Sequence, residues 1–305
     1  VRPSLKRIRV EGMYLDEQEL FDLRRSLETI RDIVRFLQKS DDDEEEGTSP
    51  YPCLKRLAGD ITVFPQLIAK INGILSPYGK IKDNASTELA RIRRELASTM
   101  GSISRSLNSI LRNAQSEGVV DKDVTPTMRD GRLVIPVAPA LKRKIRGIVH
   151  DESASGKTVF IEPAEVVEAN NRIRELEGDE RREIIRILTG FSNQLRPSIP
   201  DVLLSYEFLA EIDFIRAKAL FAEQISGLKP ALENKQLLDW TMAVHPLLQL
   251  SLAKHGKKVV PLDIELNEKQ RILIISGPNA GGKSVCLKTV GLLQYMLQSG
   301  LLIPM

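Results

Sequence analysis

Apolar residues recur at steps of three and four along much of this chain. Leu20, Leu23, Leu27, Ile30, Val34 and Leu37 form one stripe, which predicts a helix from about Leu15 to Gln38. Leu89, Leu96, Ile103 and Ile110 fall seven apart, and Ile92, Met100 and Leu107 fill the same face. This pattern predicts a long helix from about Ser86 to Gln115 with a coiled-coil-like seam. At 1.5 Å per residue it would reach roughly 45 Å. Val166, Ile173, Leu176, Ile184, Leu188, Phe191 and Leu195 predict a second long helix, opened by Pro163 and running to about Leu195. Its middle, Glu177 to Glu183, has no apolar face, and Glu177 stands four before Arg181, as on a solvent-exposed helix. The similar lengths predict that the two long helices pair antiparallel.

Shorter elements surround them. Leu54 to Ile81 reads as helical pieces broken at Gly59, Gly73, Pro77 and Gly79. Asp201 to Ile225 reads as a helix whose Leu203, Leu204, Leu209, Ile212, Ile215, Leu220 and Phe221 cover much of its circumference. That predicts burial among other helices. The acidic run Asp41–Glu46, followed by Gly47-Thr48-Ser49-Pro50, reads as a solvated connection, with a site for a basic partner as the alternative.

Between the long helices the period changes from helical to two. Arg132–Val137, Gly147–His150 and Thr158–Ile161 read as strands, with turn signals at Asp130-Gly131 and Ser153–Gly156. Such a stretch is too long for a passive loop and predicts a small β tip on a helical arm. Charge gathers there. Residues 127–160 hold Arg129, Arg132, Lys142, Arg143, Lys144, Arg146 and Lys157 against Asp130, Asp151 and Glu152. That local excess is larger than the +3 of the whole chain. Two readings stand: a phosphate-backbone contact surface, or an ordinary solvated strand face. Phe160 is the one aromatic residue in this stretch, which disfavours a platform for stacking single-stranded bases. His150 is read as structural.

Composition adds limits. The chain has 305 residues, 28% charged and 5% aromatic, which suits a helix-rich protein. No apolar run approaches the ~20 residues of a membrane span. Cys53 and Cys286 match no metal or redox spacing and read as reduced thiols of a cytoplasmic protein.

Near the C-terminal end, Gly277-Pro278-Asn279-Ala280-Gly281-Gly282-Lys283-Ser284 reads G-x-x-x-x-G-K-S, a phosphate-binding loop. Before it, Arg271–Ile275 is expected to be a buried parallel strand. After it, Val285, Leu287, Val290, Leu293 and Leu297 predict a helix to about Ser299. In such a loop, glycines turn backbone N–H groups toward the phosphates of ATP, Lys283 meets the β- and γ-phosphates, and Ser284 holds Mg²⁺.

Several stretches resemble the MutS family. Ala243–Leu248 with its His245-Pro246 pair, Val259–Asp263, and the loop Ser276–Ser284 are similar to the entry into that family's ATPase domain. Val285 after Ser284 departs from the Thr usual in mismatch-repair members. With Leu287-Lys288-Thr289-Val290-Gly291 it resembles the second bacterial branch, MutS-two, a group linked to recombination suppression and to rescue of stalled ribosomes. Gly147–Gly156 and Phe160–Pro163 resemble that branch's clamp sequence, and Ala210–Asp213 resembles a lever-helix stretch, though core packing is its main reading. His245 is read as fixing a turn, with contact to a bound base as the alternative.

The resemblance implies a mostly α fold with a small β tip, core and lever helices bearing a clamp, followed by the truncated start of an α/β P-loop ATPase domain. Its divisions would be 1–117 and 163–235 for the core and lever, 118–162 for the clamp tip, and 236–305 for the ATPase portion. It implies an ATP- and Mg²⁺-dependent clamp on duplex or branched DNA, or on structured RNA in ribosomes. It also implies a homodimer of full-length chains that hydrolyse ATP and carry a nuclease domain. The Walker-B segment and the nuclease domain are expected beyond Met305, leaving this stretch hydrolytically inactive. The alternatives are a coiled-coil chromosome-organising ATPase, disfavoured because its loop normally precedes the coiled coil, and a passive helical protein-interaction module.

Overall fold

A computed structural model describes residues 1–39, 50–278 and 281–305. The acidic run Asp41–Glu46 lies outside these described residues. The chain divides into two units, Val1–Tyr206 and Glu207–Met305. The first is mostly helical with one antiparallel sheet.

Helices α1 (Arg2–Arg7), α2 (Glu17–Gln38), α3 (Pro52–Ala58) and α4 (Pro65–Ile74) precede the long helix α5 (Thr87–Ser116). Asp16 starts α2 with a capping box: its carboxylate accepts from Glu19 N, and the Glu19 side chain reaches back to the Asp16 N–H. The predicted stripe of α2 is buried in full, from Leu20 to Leu37. Its Leu20, Leu23 and Leu27 share a core with Leu67, Ile68 and Ile71 of α4 and with Leu89, Leu188, Phe191 and Leu195. Fully burying each such side chain contributes about 1.5–3 kcal/mol.

Ser86 caps α5, its hydroxyl accepting from Leu89 N at 3.0 Å. The return helix α6 (Val167–Leu195) starts four residues later than expected, because Pro163 ends a strand and residues 164–166 form a 3₁₀ turn. The helices run antiparallel: Ser86 meets Glu183, Arg93 meets Glu180, and Glu95 meets Arg172. The middle of α6 is therefore only partly solvent-facing. Glu183 is buried and Glu180 reaches across to α5. The expected Glu177–Arg181 pair is absent from the ion pairs of the described residues, which instead join Arg182 to Asp179 and Arg186 to Glu183.

The far ends of α5 and α6 carry a four-stranded antiparallel sheet. Its strands are β1 (Thr127–Arg129), β2 (Arg132–Val137), β3 (Gly147–Glu152) and β4 (Val159–Pro163), in the order β1-β2-β4-β3. Strand β1 is too short to show a period and was not predicted. Asp130 and Gly131 both take positive φ (47° and 73°), as a two-residue hairpin turn requires. The sheet shares one core with the helices, in which Ile103, Leu107 and Leu111 meet Ile135, Ile161 and Ile173.

Helix α7 (Ile199–Ile225) follows. Its start is buried through Ile199 and Val202, but Leu204, Phe214 and Leu220 are exposed. The expected burial is thus corrected: along 209–221 no residue is fully covered, including Ala210–Asp213, because little packs against that length of helix among the described residues.

In the second unit, β5 (Gly227–Leu228) pairs with β8 (Ile303–Pro304), and β6 (Leu238–Ala243) pairs with β7 (Leu262–Leu266), both antiparallel. Helices α8 (Pro246–Ala253) and α9 (Lys283–Gln298) complete it. Trp240, Ala243, Leu293, Met296 and Ile303 form its core.

Candidate nucleotide loop and nucleic-acid interface

The glycine loop leads into α9 as expected. Gly282 is the N-cap residue with φ of 83°, in the left-handed region that glycine enters without strain, and Gly277 also has positive φ. No side chain caps α9, so its first N–H groups are left to other acceptors. Lys283 folds over the loop, its Nζ donating to the Gly277 carbonyl and, at 2.6 Å, to the Pro278 carbonyl. Asn279 and Ala280 lie outside the described residues. Ser284 is exposed beside Lys283.

A cavity of about 450 Å³ adjoins the loop, lined by Gly281, Gly282, Cys286 and Thr289 together with His245, Leu248 and Pro261. His245 caps α8, its Nδ1 accepting from Leu248 N at 3.3 Å. It therefore fixes the turn, and its ring also borders the cavity. An anion-accepting helix start, a lysine on the same loop and an apolar cavity fit a nucleoside polyphosphate.

The strand expected before the loop is not formed. Residues 267–278 carry no strand, and Ile272 and Ile274 are each 85% exposed. A parallel strand needs neighbours for its backbone groups and for both faces. Among the described residues none flanks it, since β6 and β7 pair with each other. In α9, Leu293 is buried, but Val285 and Leu287 of the predicted stripe are exposed.

The seven cations of the sheet have different environments. Lys142, Arg143 and Lys144 are exposed together on a 3₁₀ turn, Pro139–Lys144, and Arg146 is exposed just before β3. Lys157 is exposed in the turn at the other end of that strand, about 20 Å away for six extended residues. None of these five makes an ion pair among the described residues. β3 is an edge strand whose Ile148 and Val149 are also exposed. Arg129 lies on the opposite edge, its guanidinium 4.3 Å from the Phe160 ring centre.

Arg132 stands apart from the others. It donates to both oxygens of Glu162, at 2.7 and 2.8 Å, and to Asn171 at 2.8 Å. Glu162 is wholly buried and also takes Asn170 Nδ2 at 2.7 Å and the His150 ring. Burial pushes this carboxyl up, but the bonds from Asn170, His150 and Arg132 outweigh it and hold it below the ordinary carboxylate value. His150 is thus structural, as read, and Arg132 is committed to the fold. Glu162 escaped the sequence reading. The signal was a single acid closing the apolar run Val159-Phe160-Ile161, since a buried charge must find partners.

No protein-family model matches the chain. Among curated proteins it is 40% identical over 294 residues to "Endonuclease MutS2" of Finegoldia magna, covering 96% of this chain and 36% of that protein. It is 40% identical over 294 residues to the protein of the same name from Pelotomaculum thermopropionicum, again over 96% and 36%. With that of a Geobacillus species it shares 36% over 304 residues, all of this chain and 37% of the relative. The chain belongs to the MutS2 family. It spans little more than a third of the length of these MutS2 relatives. Among the described residues no helix is long and apolar enough to cross a membrane.

Proposed function

We propose that this chain supplies the clamp, the core and lever helices, and the ATP-binding loop of a cytoplasmic, ATP-dependent nucleic-acid clamp. The observation that carries this reading is the loop at Gly277–Ser284. Its positive-φ glycines, its lysine and an uncapped helix start meet beside an apolar cavity. Backbone N–H groups at the start of α9 would hold the phosphates, Lys283 would neutralise the β- and γ-oxygens, and Ser284 would bind the accompanying Mg²⁺. Bound Mg²⁺ would supply charge neutralisation at those oxygens. What the chain itself does is bind and orient. The exposed Lys142, Arg143, Lys144, Arg146 and Lys157 would meet the backbone of duplex or branched DNA, or of structured RNA such as that of ribosomes, without reading sequence. Full-length chains would pair as homodimers and hydrolyse ATP, and the relatives' name extends the expectation to a nuclease activity elsewhere in the protein.

The test is binding of a fluorescent ATP analogue with Mg²⁺ to the full-length protein and its Lys283→Ala variant, with ATP hydrolysis measured in parallel. The reading predicts loss of hydrolysis and weakened analogue binding in the variant. Hydrolysis at the parent rate would refute the assignment.

A further inference from the structure

The solvent side of α5 has an unusual charge pattern. From Leu96 to Ser116 the helix contains no acidic residue, while Arg105 and Arg112 fall within it and Arg94 just before it. All three arginines are exposed. At 3.6 residues per turn, Arg94 and Arg112 stand about five whole turns apart and Arg105 about 20° off the line between them, so the three share one face over about 27 Å. None of them forms an ion pair among the described residues. Arg94 and Arg105 donate instead to carbonyls of their own helix, Ala90 and Gly101, at 3.1 and 3.3 Å. The neighbouring exposed positions are short and uncharged, among them Ser98, Ser102, Asn108 and Ser109.

The acids of the arm lie elsewhere and several are occupied. Glu88 and Glu95 pair with Arg91, Glu180 with Arg93, Asp179 with Arg182, and Glu183 with Arg186. An ordinary solvated helix face mixes both signs. This one has its negative charge removed over the length that approaches the sheet. At its far end, Asn113 of α5 and Glu117 just past it line one cavity with Lys144, Arg146 and Glu165.

We propose that the outer face of α5, marked by Arg94, Arg105 and Arg112, is a second contact surface for the phosphodiester backbone of a nucleic-acid duplex, running along the shaft of the arm below the sheet. This inference rests on the nucleic-acid reading given above. Hydroxyl and amide side chains let phosphates approach closely, and the three guanidiniums offer forked donors at intervals of about 16 and 10 Å. The span amounts to most of one duplex turn. The contact follows the backbone, so it adds affinity and salt dependence rather than sequence preference.

The experiment measures binding of labelled DNA and RNA duplexes of about three turns across a salt series. It compares the parent protein with R94Q/R105Q/R112Q, with S102E/S109E, and with K142Q/R143Q/K144Q at the sheet. Circular dichroism controls for helix content. The inference predicts that the triple arginine variant lowers the slope of log affinity against log salt by about 2 to 3 and weakens binding about tenfold or more at low salt. The S102E/S109E variant, which keeps every arginine, weakens it too. DNA and RNA probes responding alike places the recognition in the shared backbone. If the sheet variant weakens binding while both shaft variants match the parent, this inference fails and the reading of the sheet stands. If the parent binds neither duplex, both fall.

Discussion

Arg132 and Glu162 form a salt bridge in which the carboxylate has no solvent exposure and the guanidinium side chain only 14%. It ties β2 to β4, and Asn170 of α6 and His150 of β3 join the same carboxylate. The sheet is thereby locked to the helix that carries it. Removing one partner of such a pair strands a buried charge and costs about 3–5 kcal/mol, so Arg132→Met should lower the unfolding free energy measured in urea by that order.

The same carboxylate gives a pH signature. Its folded value is depressed, so its stabilisation is present above the unfolded carboxylate value of about 4.3 and is lost as pH falls through the lower folded value. Glu162→Gln should therefore be destabilised relative to the parent at neutral pH, with the gap closing below about pH 4. A gap of constant size in urea unfolding across that range would contradict this arrangement.

Leu107 is fully buried where α5 meets the sheet. Leu107→Ala should cost about 2–5 kcal/mol in chemical denaturation. Disrupting the half-exposed Glu95–Arg172 pair by Arg172→Ala should cost far less, because solvent screens it. Equal losses in the two variants would count against apolar packing as the main bond between arm and sheet.

At Gly147 an added Cβ would lie 2.1 Å from the Glu162 carbonyl oxygen, closer than any packing allows. Gly147→Ala should displace β3 from β4, which hydrogen exchange would detect as faster exchange than in the parent at Ala164, whose N–H donates to the Arg146 carbonyl beside the glycine.

How far sequence reaches follows from which forces are local. The stripe of α2 and the extent of α5 were legible because helical period acts within a few turns. So was the Asp130-Gly131 turn, whose backbone needs positive φ. The start of α9 at Gly282-Lys283 was legible for the same reason. The Glu162 cluster was not, because its partners come from residues 132, 150 and 170 and meet only after folding. Arg271–Ile275 shows the converse failure. A β-branched run expresses a preference, but a strand requires a neighbour, and none is paired to it among the described residues. The apolar circumference of α7 likewise announced burial that the fold does not supply along 209–221.

The central claim is that the sheet at the end of the arm grips a polyanion. The most direct measurement is duplex binding against salt for the parent and for K142Q/R143Q/K144Q. The account predicts a steep fall in parent affinity with salt and a slope shallower by about 2 to 3 in the variant. Binding that ignores salt, or a variant whose slope equals the parent's, would contradict it.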